Sequence, residues 1–213
     1  MVDYSADNVL NVANSYKNKF IETGDFQYLE STISIIAQGC SHPHFIDLCF
    51  QERSRLLMRL GYEQLEKYYK SGDLEDLDLG FVSFQDAIKQ ITLNNKEGQN
   101  FAVDLLTLIW SDEPARNNHL VIQRTIGMYE DILTHLNVES EERLRTLINL
   151  ANANKRLYEL NSRQADLEKA IKIHEELLVE IPNDSKIKPV SLNNFGNALL
   201  QRYKTLVLQR NVS

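Results

Sequence analysis

Glycine and proline are scarce in this 213-residue chain, with only 8 and 4 respectively. An all-β sandwich or barrel needs many tight turns, so the scarcity argues against one and favours long helices. Cysteine is scarcer still. Cys40 and Cys49 are the only two, too few for a disulfide framework, and a reducing, cytoplasmic setting is the plain expectation. No run approaches the roughly 18 to 20 consecutive apolar residues of a membrane helix. The start, Met1 to Asp7, lacks both a basic leader and an apolar stretch, so no signal peptide is expected. Cationic excess is missing as well: the net charge is −7. A polyanion would on average be repelled, and neither nucleic acid nor membrane is an expected partner.

What is present is a soluble balance, 43% hydrophobic and 25% charged, arranged in an internal repeat. Thr23-Gly24-Asp25-Phe26 returns as Ser71-Gly72-Asp73-Leu74, each time between apolar patterns of helical period. Glycine suits the left-handed position that closes one helix, and aspartate suits the N-cap that opens the next. A step of 48 residues followed by two of 45 aligns Leu29, Leu77, Ile122 and Leu167. A small column follows, Thr32, Gly80, Thr125 and Ala170. Behind it come Ile33, Phe81, Ile126 and Ile171, and then Ile36, Phe84, Tyr129 and His174. Offsets of three and four place these columns on one helical face.

The preceding helix carries its own small column, Ala13, Gly61, Ala151 and Gly196, broken by Leu106 in the third copy. Near its end stand Phe20, Tyr68, Tyr158 and Tyr203. At the later turns Asn117-Asn118 and Asn161-Ser162 replace glycine; asparagine tolerates the left-handed conformation better than other non-glycine residues, and both asparagine and serine can cap. The fold class read from this pattern is all-α, a solenoid of tandem antiparallel helix hairpins. A single array over 1–213 is expected, with repeats at about 6–43, 44–94, 95–138 and 139–185 and a final helix at 189–209. Breaks fall near Ser41–His44, Asn94–Lys96, Asn137–Ser140 and Pro182–Pro189.

Ser191-Leu192-Asn193-Asn194-Phe195-Gly196-Asn197-Ala198-Leu199-Leu200 resembles the first helix of a tetratricopeptide repeat. Leu147-Ile148-Asn149-Leu150-Ala151-Asn152-Ala153 and Ser71-Gly72-Asp73-Leu74-Glu75-Asp76-Leu77 carry related wording, as does Ala165-Asp166-Leu167-Glu168-Lys169-Ala170-Ile171. The 45-residue step exceeds the usual length of about 34 and is similar to a long fungal type. The resemblance implies a right-handed superhelix whose first helices line a concave groove for peptides or partner domains. In fungal relatives such arrays accompany CHAT-type peptidase domains, so a regulatory fragment of a larger enzyme or signalling protein is the alternative to a plain scaffold or adaptor.

Several residues could suggest chemistry. Cys40, His42, His44 and Cys49 lie within ten residues, but their spacing lacks the paired C-x-x-C or H-x-x-x-H of structural zinc sites. A loop is expected there, with Cys49 packed inside the next helix and no metal. His174 falls in a core column with no nucleophile beside it in the repeat. No glycine-rich phosphate loop or nucleophile–base set is present, so neither an enzyme nor a cofactor is expected.

The asparagines are the exception. Asn14, Asn152 and Asn197 each follow the small residue of a first helix, and Asn193 lies one turn before Asn197. Lys17 and Lys155 stand one turn after Asn14 and Asn152, with Arg156 alongside. An amide can both donate to and accept from an extended ligand, and cations favour an acidic or carboxylate-ended peptide. The competing expectation is that these asparagines bond between helices and hold the stack. At the C-terminus the final helix shows the first-helix pattern with no second helix after it, so the chain either continues or pairs there with another copy or a partner.

Overall fold

The computed structural model describes residues 4–90, 96–137 and 140–212, with side chains to 208. Among these residues there is no β-strand, and no helix is long and apolar enough to cross a membrane. Two compact units divide the chain, residues 1–92 and 93–213.

The first unit holds two hairpins, α1 (Ala6–Thr23) with α2 (Phe26–Cys40) and α3 (Phe50–Ser71) with α4 (Leu74–Lys89). Each hairpin closes as the repeated turn requires. Gly24 and Gly72 take φ of 70° and 73°, and their amides donate to Phe20 and Tyr68. Asp25 and Asp73 then accept from the amides of Gln27 and Glu75, both at 3.0 Å. A further bond tightens the turn: the hydroxyls of Thr23 and Ser71 accept from the amides of Asp25 and Asp73 at 3.1 and 3.0 Å. Helix α2 also packs on α3, and α1 touches α3, so successive first helices lie side by side. The two hairpins are joined by a 3₁₀ turn, Pro43–Asp47.

The second unit contains α5 (Lys96–Ser111), α6 (Glu113–Asn117), α7 (His119–Leu133), α8 (Glu141–Asn161), α9 (Gln164–Glu180) and α10 (Lys188–Val212). Here α5 pairs with α7 and α8 with α9; α7 packs on α8, and α10 packs on α9 and touches α8. Four hairpins and one extra first helix therefore account for the described residues. The expected breaks at Asn94–Lys96 and Asn137–Ser140 fall partly outside the described residues.

The aligned columns form the cores. Leu29, Leu77, Ile122 and Leu167 are all buried, and so are Ile36, Phe84, Tyr129 and His174. Full burial of a side chain of this size is worth about 1.5–3 kcal/mol, so these columns supply much of what holds each hairpin closed. The small columns meet at the crossing. A Cβ on Gly61 would lie 2.9 Å from the Gly80 carbonyl oxygen and 2.5 Å from the Phe84 ring, so the α3 and α4 backbones touch there.

Two turns and one cysteine add detail to the pattern, and the cysteine departs from expectation. In the fourth hairpin Ser162, not Asn161, adopts the left-handed conformation, with φ 58°. Asn161 sits at the place of Thr23 and Ser71, and its side-chain oxygen accepts from the Arg163 amide at 2.9 Å. In the third copy Asn118 has φ −111° and acts as an N-cap, accepting from the amides of Leu120 and Val121. The inserted turn α6, opened by Pro114, replaces the tight reversal there. Cys49 is exposed rather than packed inside, because it forms the cap of α3, its amide donating to Glu52 at 3.2 Å.

Candidate functional site

The candidate residues of the first unit lie at the α1–α3 contact. Lys17 Nζ reaches Glu63 at 2.5 Å and also bonds Glu66, with only 13% of its side chain exposed. Glu63, 4% exposed at the side chain, is also held by Arg59 at 2.6 Å. Asn14 accepts from Arg59 at 3.1 Å. The Asn14 side-chain oxygen and the Lys17 cation are thus joined to the neighbouring first helix.

The candidates of the second unit face two open clefts. One, of about 380 Å³, runs between α5–α6 and α8 and is bordered by Trp110, Glu113, Arg116, Asn117 and the α8 residues Asn152, Lys155, Arg156 and Glu159. The other, of about 450 Å³, runs between α8 and α10, where Lys155 and Tyr158 face Asn197, Gln201 and Lys204. Lys155 borders both, so the clefts follow one another across the faces of consecutive first helices. Asn193 is exposed on α10 but borders neither.

Helical spacing explains the arrangement. Asn152, Lys155, Arg156 and Glu159 recur at intervals of three and four and so form one stripe. The adjoining stripe of α8, with Leu147, Ala151 and Tyr158, is buried. Glu159 is shared by Lys155 and by Arg156, the latter at 3.0 Å. Burial pushes the Glu159 carboxyl up, but the hydrogen bonds from Lys155 and Arg156 outweigh it and hold the group below its ordinary value. Arg156 is further fixed by donating to the Arg116 carbonyl oxygen at 3.0 Å and to the Asn117 side chain.

The free groups matter most. Among the described residues, the side chains of Asn152, Asn193, Asn197, Arg116 and Lys204 have no hydrogen-bond or ion-pair partner. Arg116 and Lys204 are not legible as site residues in the sequence. Arg116 sits on the inserted turn, outside the repeat register, and Lys204 has no feature that separates it from an ordinary surface lysine. Around the clefts stand four cations, Arg116, Lys155, Arg156 and Lys204, against two carboxylates, Glu113 and Glu159. The local sign is therefore opposite to the chain's net −7.

The other cluster is spent on local structure. His42 stacks on Tyr4 with ring centroids 4.2 Å apart, and its Nδ1 accepts from the His44 amide. His44 pairs with Asp47 at 2.8 Å. His174 is fully buried, and neither ring nitrogen has a partner. Desolvation, and secondarily the charge of Lys155, lowers its pKa to about 4.

No family model matches the chain, and no curated protein matches it in sequence. Among solved structures, a Podosopora anserina protein described as a kinesin light chain with nearly identical TPR-like repeats is 12% identical. It covers 99% of this chain and 93% of its own, at a TM-score of 0.46. A de novo designed helical repeat protein is 16% identical, covering 96% of each chain at a TM-score of 0.35. A structure described as the DHF58 filament is 14% identical, covering 98% of this chain and 97% of its own at 0.36. All three lie below 0.5, and the helix-hairpin architecture rests on the chain's own turns, columns and contacts.

Proposed function

We propose that this chain is a protein-interaction scaffold or adaptor, without chemistry of its own, that takes an extended acidic peptide along the first-helix face of its second unit. The observation that carries this reading is the row of polar side chains without a protein partner along two consecutive clefts. Asn152 and Asn197 offer free amides, Arg116 and Lys204 offer free cations, and Lys155 stands between the clefts. Amides spaced along a groove can pair with a strand's backbone, while the cations meet its carboxylates. Asn14 and Lys17 fall outside the proposed site, because they are joined to Arg59, Glu63 and Glu66. The setting we infer is a reducing one, with both cysteines free.

A display selection of random 12-residue peptides on the purified chain tests the reading. Enrichment of sequences rich in Asp and Glu, lost at high salt, is expected. Selection of basic sequences, or of none, would count against it.

A further inference from the structure

The first hairpin holds one of its cations between aromatic rings. Tyr16 and Lys19 stand three apart on α1 and share a face. The reversal at Gly24 brings Tyr28, in the first turn of α2, beside them. The two tyrosine rings lie 6.4 Å apart, tilted by 46°. Lys19 Nζ stands 5.7 Å from the centre of the Tyr16 ring and 5.5 Å from that of Tyr28. Lys17 and Lys70 each stand over one ring, that of Phe20. Lys19 is exposed and both tyrosines are half-buried. Its ammonium has no carboxylate partner among the described residues.

The repeat shows what is unusual here. A step of 48 residues sets Tyr16, Lys19 and Tyr28 against Gln64, Lys67 and Asp76. The lysine recurs, but its partner does not. Lys67 Nζ reaches Asp76 at 3.0 Å, and that carboxylate is only 7% exposed. A carboxylate grips an ammonium through its N–H groups. Rings need no N–H: they attract the charge through their quadrupole and meet methyl groups as apolar surface. Both Lys19 distances lie close to the outer limit of about 6 Å for this interaction, so the notch is wider than a bare ammonium fills. The surrounding field has the matching sign. Residues 1–92 carry 14 Asp and Glu against 8 Lys and Arg, which draws a cation towards this unit.

The geometry points to the Tyr16–Tyr28 notch as a binding site for a methylated ammonium group, carried by a methylated lysine of a partner chain or by a choline-type small molecule. Lys19 holds the seat in the free chain and moves out to solvent when the ligand enters. The site uses no residue of the second unit's clefts, and the inference does not depend on how those clefts are read.

The test is proton NMR of the N-methyl signal, with acetylated trimethyl-lysine amide and choline titrated separately against the full chain. The tyrosine rings are expected to move the signal of a bound probe upfield, while unmethylated acetyl-lysine amide shows no response. Lys19→Ala empties the seat and should tighten binding at least threefold. Tyr28→Asp copies the second hairpin, gives Lys19 a carboxylate and should abolish the shift. Tyr16→Gln copies Gln64, and it decides if Tyr28→Asp fails to fold. A response to trimethyl-lysine alone assigns the site to a methylated protein chain, and a response to choline assigns it to the ammonium group itself. No shift in either the parent or Lys19→Ala would overturn the inference. So would a shift that survives in the folded tyrosine variant, binding that Lys19→Ala does not tighten, or an equal response to unmethylated lysine.

Discussion

At the residue scale, two buried positions show how little tolerance the stack has. Gly61 and Gly80 bring two backbones into contact, and there is no room for a methyl group between Gly61 and the Phe84 ring. Gly61→Ala is therefore expected to destabilise the first unit by about 1–3 kcal/mol, through overpacking that outweighs alanine's better helix propensity. A thermal melt or urea titration checks it. His174 is the opposite case, a polar ring in a column otherwise filled by Ile36, Phe84 and Tyr129. Its folded-state pKa of about 4 lies below the ordinary 6.5, so between those values the unfolded chain binds more protons. The associated stability is fully present above about pH 6.5 and is lost as pH falls towards 4, by about 3 kcal/mol in all. His174→Phe should remove this dependence and raise the melting temperature more at pH 5 than at pH 8. An equal effect at both pH values would show that the imidazole is not the titrating group.

At the element scale, the hairpin turn is one chemical device used three times. A side-chain oxygen at Thr23, Ser71 or Asn161 accepts from the amide two residues on. A left-handed residue follows, and only in the fourth hairpin is it not glycine. Ser162→Gly should relieve that conformation and stabilise the second unit by about 0.5–1 kcal/mol, whereas Gly72→Val should destabilise the first by at least as much. Melts that leave both variants at the parent value would contradict the role given to this turn. The helix columns and the Gly-Asp turns are legible in the sequence because they repeat at fixed steps, and a repeat amplifies a weak local signal. Position 162 escapes a reading by residue type, since asparagine's general tolerance of positive φ points to its neighbour. The register is the better guide, because it places Ser162 beneath Gly24 and Gly72. Cys49 escapes for a related reason: residue type suggests core, although its backbone serves the Glu52 cap.

At the scale of the whole molecule, the same kind of stripe has two uses. In the first unit, Asn14 and Lys17 are joined to α3 through Arg59, Glu63 and Glu66. In the second, Asn152 and Asn197 keep free amides beside clefts with an excess of cations. Sequence spacing can place all of these residues on first helices, but it cannot show which have partners. That depends on what the facing helix offers: acids on α3, and mainly amides and cations around α8 and α10. The inserted turn α6 also lies beyond the repeat pattern, and it contributes the unpaired Arg116.

The double change Asn152→Ala with Lys155→Ala separates peptide binding from helix stacking, with melting temperature and affinity for an acidic peptide from the display selection measured on the same sample. The melting temperature is expected to stay close to that of the parent, because Asn152 has no partner and a partly exposed Lys–Glu pair contributes little. The affinity is expected to fall at least tenfold. A variant that melts well below the parent, while its folded fraction binds the peptide as the parent does, would show that these residues hold the stack and that the clefts are not the binding site.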